Sequence, residues 1–367
     1  MKRILILANH EMVIYSLRKE LVRELLEEGY EVTLAAPYGS RIQEMVQWGC
    51  HFVECRVDRH GMNIARDVTL LLRYFKLIEK VRPCVVLTYT IKPNIYGGIA
   101  AMMSQTPYMP NITGLGTAIE RKGVLKILTA GLYKASLRQA AVIFVQNSEN
   151  KAFFSKSGIR YRRFVLLPGS GVNLEEFRLL PYPDSGPTGF AFIARLMREK
   201  GIEEFIHAAE YMRKRYPDTR FHICGFCEEA YETRMREKEE NGILIYHGMV
   251  DDIRTVLKEV SCVVLPSYHE GMSNALLEAA ACGRPLIATD IPGCREIVDS
   301  GVNGFLVERA SEGSLVKAME DFYRMDWEAR RRMGLASREK VEREFDRKEV
   351  IKAYMEEIKK YEPSAAG

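Results

Sequence analysis

Short, continuous apolar runs alternate along the chain with longer stretches whose apolar positions recur every three or four residues. Runs of the first kind predict buried strands and stretches of the second kind predict amphipathic helices, so the alternation points to parallel α/β sheets. In the first half, strands are expected at Arg3–Ala8, Glu31–Ala36, Cys84–Thr88 and Ala141–Gln146. A helix is expected from Ser16 to Glu28, with Gly29 supplying the left-handed residue that ends it, and another from Asp67 to Lys80, stopping before Pro83. Prolines and glycines then crowd into residues 179–189, Leu-Leu-Pro-Tyr-Pro-Asp-Ser-Gly-Pro-Thr-Gly, as in a linker. A second series follows. Strands are expected at Phe190–Ala194, Arg220–Cys224, Gly242–His247, Cys262–Pro266 and Pro285–Thr289, with helices at Ile202–Arg215, Asp252–Glu259 and Ser273–Cys282.

Two such series in 367 residues predict two doubly wound domains, residues 1–178 and 190–345, joined by a linker at 179–189. The charged tail, 346–367, is expected as a helix packing back on the first domain. No apolar run approaches the ~18 residues of a membrane span, and the start, Ile4–Ala8, is too short for a signal peptide. A cytoplasmic location is the expectation. The eight cysteines show no disulfide framework, and Cys224 and Cys227, near His222, lack the second ligand pair of a zinc site. Charge divides unevenly: residues 1–177 hold 24 Lys+Arg against 15 Asp+Glu, a net of +9 within a total of +4. A basic half suits an anionic small-molecule or membrane partner, and no nucleic-acid partner is expected.

The most informative stretch is Ser267-Tyr-His-Glu-Gly-Met-Ser-Asn-Ala-Leu-Leu-Glu278. It leaves a strand at Pro266, turns at Gly271 and enters a helix near Ser273. Ligands of open α/β sheets bind beyond the carboxyl ends of the strands. Free amides of Gly271, Met272, Ser273 and Asn274, backed by the helix dipole, would bind a diphosphate there. Glu270 and Glu278 bracket the turn with seven residues between them. A helical side chain leans toward its N-terminus, which aims Glu278 at the same pocket, where a carboxylate can take two vicinal hydroxyls. Arg195 and Lys200 flank the loop after the first strand of this domain and can neutralise a diphosphate as it leaves.

These residues resemble family 4 of the retaining glycosyltransferases. The resemblance rests on Glu270-x7-Glu278 after a Pro-Ser strand end, and on Ala194-Arg-Leu with Lys200-Gly upstream. Gly225, Tyr246-His-Gly-Met-Val-Asp-Asp252 and Ala281-Cys-Gly-Arg-Pro-Leu-Ile-Ala-Thr-Asp290 extend it across the second half. It implies a GT-B fold, two Rossmann-like domains facing a central cleft. It also implies roles: Glu278 on the ribose, Glu270 on the transferred sugar, Arg195 and Lys200 on the diphosphate, and Gly225, His247, Gly248 and Met249 around the base. The implied reaction retains the anomeric configuration, with the leaving phosphate taking the acceptor proton. Uridine is the nucleotide the resemblance favours.

In the first half, Val57–Asn63, Leu87–Gly98 and Pro110–Gly116 resemble the subgroup that extends sugars on undecaprenyl diphosphate. Lys92, Asn94, Asn111, Gly114, Gly116 and Arg59 are thereby expected at a lipid-linked or glycan acceptor, with His60 and His10 as further candidates. The loop Asn9–Tyr15 departs from the family by lacking glycines. Residues 118–138 mix Val124, Leu125, Ile127 and Leu128 with Arg121, Lys122, Lys126, Lys134 and Arg138, a basic amphipathic helix suited to an anionic bilayer. No metal or other cofactor is expected, since the chain contains no Asp-x-Asp. A hydride-transferring enzyme is disfavoured by the absence of Gly-x-Gly-x-x-Gly after the first strand. A sugar-nucleotide 2-epimerase and a non-catalytic sugar-nucleotide-binding subunit are the competing readings.

Overall fold

The apolar run Arg3–Leu7 forms β1 at the centre of a parallel sheet, where Leu5, Ile6 and Leu7 are fully buried. A computed structural model describes residues 2–58, 63–112, 124–147, 162–184, 186–228 and 230–363, with the backbone alone described at 124–128. The chain divides into two units, residues 1–170 with 348–367, and residues 171–347.

In the first unit β1 is followed by α1 (Glu11–Glu27), β2 (Glu31–Ala36), α2 (Ile42–Gln47), β3 (His51–Glu54), α3 (Ile64–Val81) and β4 (Val85–Tyr89). A π turn at Pro93–Gly97 then leads to α4 (Gly98–Met103), β5 (Tyr108–Ile112), α5 (Val124–Leu137), β6 (Ile143–Val145) and β7 (Phe164–Leu166). The strand order β3-β2-β1-β4-β5-β6-β7 is the Rossmann order with one strand added at the edge. His10 caps α1, its Nδ1 accepting the Met12 amide at 3.1 Å, and Gly29 ends the helix at φ +80°. β5 holds Pro110 in register with Thr88 of β4, and that proline masks the strand in the sequence.

The second unit runs β8 (Thr188–Ile193), α6 (Ile202–Arg215), β9 (Thr219–Cys224), α7 (Glu232–Glu240), β10 (Ile245–Gly248), α8 (Arg254–Leu257) and β11 (Cys262–Leu265). It continues with α9 (Asn274–Ala281), β12 (Leu286–Thr289), β13 (Gly304–Val307), α10 (Glu312–Arg324) and α11 (Trp327–Glu344). Its order, β10-β9-β8-β11-β12-β13, is again the Rossmann order and all pairings are parallel. The proline-rich stretch is fastened to this unit. Arg284, fully buried, donates to the carbonyls of Leu257 and Pro181 at 2.7 Å each, Tyr182 donates to Ser261 O at 2.9 Å, and Trp327 to Pro183 O at 2.7 Å. Composition reads as linker here, but buried donors need acceptors, and these carbonyls supply them.

The chain then returns. In α12 (Arg347–Lys359), Val350, Tyr354 and Ile358 recur at helical spacing and are buried in the core of the first unit. The Tyr354 ring lies 4.1 Å from that of Phe144.

Candidate active site

In the second sheet the order of connection reverses between β8 and β11, the topological switch point at which such sheets bind ligands. The loops leaving these two strands are stitched together. Tyr268 N donates to Glu199 O at 2.8 Å and Ser267 Oγ to the same carbonyl at 3.3 Å. Gly201, at φ +75°, lies so close to Pro266 that a Cβ would stand 2.1 Å from the proline carbonyl oxygen. Across this seam Lys200 Nζ meets Glu270 Oε1 at 2.6 Å, with the two side chains 18% and 11% exposed. Two residues 70 positions apart are thus held head to head. The ammonium keeps two further N–H donors and the carboxylate keeps lone pairs beyond those used by the pair. Arg195, by contrast, forms an outlying pair with Glu228 at 2.7 Å.

The turn after Glu270 rests on Gly293, whose φ of +85° and missing Cβ let its backbone pass against Glu270 and Gly271. Gly293 O accepts the Ser273 amide at 3.0 Å, and Glu296 Oε2 holds the Gly293 amide at 2.7 Å. This corrects the expectation of four free amides: the Ser273 amide is spent on Gly293, because the turn needs an anchor before α9 begins. Its hydroxyl is spent too, accepting the Leu276 amide at 3.4 Å as the helix cap. The Met272 and Asn274 amides donate to no backbone carbonyl among the described residues. Asn274 Oδ1 is buried with no hydrogen-bond partner among the described residues, an acceptor that a ligand hydroxyl could fill. Glu278 stands one turn into α9, half-buried. Gly293 and Glu296 escape the sequence reading. The only hint is the Pro292-Gly293 dipeptide, a turn marker just beyond β12.

On the other side of β8 the ends of β9 and β10 come together. Gly225, at φ +144°, leaves no room for a side chain, since a Cβ would lie 1.8 Å from the Ala194 carbonyl oxygen. Its amide donates to Gly248 O at 2.8 Å, and Tyr246 OH donates to its carbonyl at 3.0 Å. His247 Nε2 lies 3.0 Å from His222 Nδ1, the two rings stacked at 5.3 Å. Burial, helped by His247 and Arg220, pushes the His222 pKa down to about 4. His222 is therefore neutral at pH 7. Met249 is 72% exposed beside this cluster. Among the described residues no three His, Cys, Asp or Glu converge as a metal site would require.

The residues expected at the acceptor fare differently. Asn94 and Asn111 are 1% and 0% exposed. Asn94 accepts from Thr88 Oγ1 at 2.7 Å and donates to Asn111 O at 2.9 Å, while Asn111 Nδ2 donates to the Tyr354 hydroxyl. Both make internal ties that join β4, the π turn, β5 and α12, while Asn111 Oδ1 is buried with no hydrogen-bond partner among the described residues. Lys92 pairs with Asp67 at 2.6 Å, which also accepts from Tyr96 OH at 2.9 Å. Arg59, His60, Gly114 and Gly116 lie outside the described residues, as do Arg121, Lys122 and the Lys126 side chain. In the described part of α5, Tyr133 and Leu137 are fully buried while Lys134 is exposed, as is Arg138 just beyond it, so this part packs as a core helix.

Comparison with known proteins extends this picture. A family model described as Glycosyl transferases group 1 matches residues 187–325, and one described as Glycosyl transferase 4-like matches residues 3–147. A Campylobacter jejuni relative, N,N'-diacetylbacillosaminyl-diphospho-undecaprenol alpha-1,3-N-acetylgalactosaminyltransferase, is 24% identical over 79% of this chain and 81% of its own. The Escherichia coli UDP-Gal:alpha-D-GlcNAc-diphosphoundecaprenol alpha-1,3-galactosyltransferase is 28% identical over 71% of each. Among solved structures, Anabaena HepE, in complex with UDP and glucose, superposes with a TM-score of 0.80 at 14% identity, over 98% of this chain and all of that one. Sucrose-phosphate synthase from Thermosynechococcus elongatus gives 0.76 at 17% identity, over 98% of each chain. With two Rossmann-ordered sheets and these neighbours the fold is GT-B, and the chain belongs to the glycosyltransferases, with a 4-like domain in its first half and a group 1 domain in its second.

Proposed function

We propose that the chain is a retaining glycosyltransferase that moves a hexose or N-acetylhexosamine from a UDP-sugar to a sugar already carried on a polyprenyl diphosphate. The observation that carries the donor side of this reading is the Lys200–Glu270 pair held at the switch point of the second sheet. A cation and a carboxylate fixed side by side suit a ligand whose charged diphosphate adjoins a ring of hydroxyls. Lys200 and Arg195 serve the diphosphate, with the Met272 and Asn274 amides at the start of α9. Glu270 and Asn274 serve the transferred sugar, Glu278 the ribose, and the Gly225, His247, Gly248 and Met249 cluster the base.

In the reaction the bond from the anomeric carbon to the phosphate oxygen breaks, and the acceptor hydroxyl oxygen bonds to that carbon on the same face. The acceptor proton passes to the leaving phosphate, so no separate base is required. The C. jejuni and E. coli relatives are named for undecaprenyl-diphosphate-linked acceptors, which supports the acceptor class. HepE was solved with UDP, which supports the nucleotide.

The test is a screen of UDP-sugars against polyprenyl-diphosphate-linked sugars, read by mass for one added hexose or N-acetylhexosamine and by NMR for the anomer formed. Acceptor-dependent UDP release with an α-linked product is expected. Donor consumption without acceptor would indicate the epimerase, and nucleotide binding with no turnover on any acceptor would indicate a binding subunit.

A further inference from the structure

We infer that α3 is a membrane-surface helix, which seats the first unit on an anionic bilayer. Along α3, Leu70, Tyr74 and Ile78 turn inward and are buried in the core. A second apolar ridge does not. Ile64, Val68 and Leu72, four residues apart, are 77%, 49% and 49% exposed. Isolated exposed aliphatics are ordinary, but three in register on one helix face form a contiguous apolar edge. Spacing of this kind stacks side chains one above another along the helix.

Beside the ridge runs a basic stripe. Arg73, Lys76 and Lys80 share the neighbouring face at intervals of three and four residues, and all are exposed. The acids do little to cancel them. Asp67 is turned to Lys92 and Tyr96, and Glu79 alone stands exposed near the far end of the ridge. An apolar edge flanked by cations, on an 18-residue helix about 27 Å long, is the arrangement that lets a helix lie in the headgroup layer. Anionic lipids attract the cations while the aliphatic edge enters the acyl boundary. A second protein chain would meet the ridge without calling for the cations, so the charge decides for the bilayer. No helix among the described residues is long and apolar enough to cross a membrane, so α3 would lie on the surface. This inference does not depend on the acceptor proposed above. It places membrane contact on α3, an element separate from the 118–138 segment.

The test is co-sedimentation of the full chain with vesicles of phosphatidylethanolamine and phosphatidylglycerol, and with vesicles of phosphatidylcholine alone. The unaltered chain is expected to bind the anionic vesicles at least about tenfold better than the neutral ones. The triple variant Ile64→Ser, Val68→Ser, Leu72→Ser should lose about tenfold or more of that binding, with a melting temperature lowered by no more than a few degrees because the three side chains are about half or more exposed. Arg73→Glu with Lys76→Glu should lose it as well, and Lys134→Glu with Arg138→Glu should not. Equal binding to both vesicle types, or serine and parent chains that sediment alike, would overturn the inference. So would a parent oligomer that the serine variant splits, since the ridge would then join two copies. Sugar transfer to a short-chain, water-soluble acceptor reads the proposed activity separately, and neither result depends on the other.

Discussion

Lys200 Nζ lies 2.6 Å from Glu270 Oε1, and this contact links the loop after β8 to the loop after β11. The seam works because Gly201 and Gly293 let backbones approach where a Cβ would clash with Pro266 O and Gly271 O.

Removing either partner leaves the other as an unsatisfied, mostly buried charge, which is costlier than the pair is favourable. Glu270→Gln and Lys200→Met should each lower kcat/KM at least about tenfold, or ~1.4 kcal/mol of transition-state stabilisation. Because the two act as a unit, the double variant should lose clearly less than the product of the single losses. Glu278→Ala should cost a similar factor. Near-normal turnover in Glu270→Gln and Glu278→Ala together would remove the site assignment.

Gly225 and Gly248 offer a matched comparison. Both have positive φ, at +144° and +62°, but only Gly225 faces a backbone atom, Ala194 O, where its Cβ would go. Gly248→Ala should cost ~1 kcal/mol, the strain of a left-handed residue. Gly225→Ala should cost ~2 kcal/mol or more and weaken UDP binding, because β8 and β9 must separate to admit the methyl group. Denaturant unfolding and UDP titration of the two variants check the ordering, and equal losses would count against the close packing at the strand ends.

Most of the fold was legible because the burial is simple. The helix at Ile202–Arg215 and the strand at Glu31–Ala36 stand where periodicity places them. β5 was not legible: no strand is expected from the pattern at Tyr108–Ile112, although Pro110 pairs in register within the sheet. The Lys200–Glu270 meeting was half legible. Sequence placed each at a carboxyl strand end, but their contact depends on the strand order, which no local pattern carries. Gly293 was legible only as part of a turn marker, since its partners lie across a loop that only the folded sheet brings close.

His222 supplies a prediction in pH. Its pKa in the folded chain is about 4, below the 6.5 of an exposed histidine, with burial as the main cause. Between these values the unfolded chain binds the proton and the folded chain does not. Stability is therefore greatest above pH 6.5 and falls as the pH drops toward 4, by a total of ~3 kcal/mol from this residue. His222→Gln should flatten that part of the profile relative to the parent. Urea unfolding of both proteins across pH 7 to 4 measures the difference, and parallel curves would mean that His222 gains its proton without hindrance.

Asn111 separates an internal role from an acceptor role. Its Nδ2 donates to the Tyr354 hydroxyl and its carbonyl accepts from Asn94, so it connects β5 to both the π turn and the returning helix α12. Its exposure is 0%, and the Tyr354 ring it reaches is packed on Phe144. Asn111→Ala removes one donor to the buried Tyr354 hydroxyl, which keeps Arg18 and Tyr89 beside it, and should cost about 1 kcal/mol of stability. Tyr354→Phe keeps the ring packing but takes the acceptor from the buried Asn111 Nδ2, so it should cost at least as much. In both variants α12 should become easier to cleave by protease at its ends, while KM for the acceptor stays within about twofold of the parent, near the limit set by RT. A large rise in acceptor KM at unchanged stability would instead put Asn111 at the substrate and show that α12 moves aside to admit it.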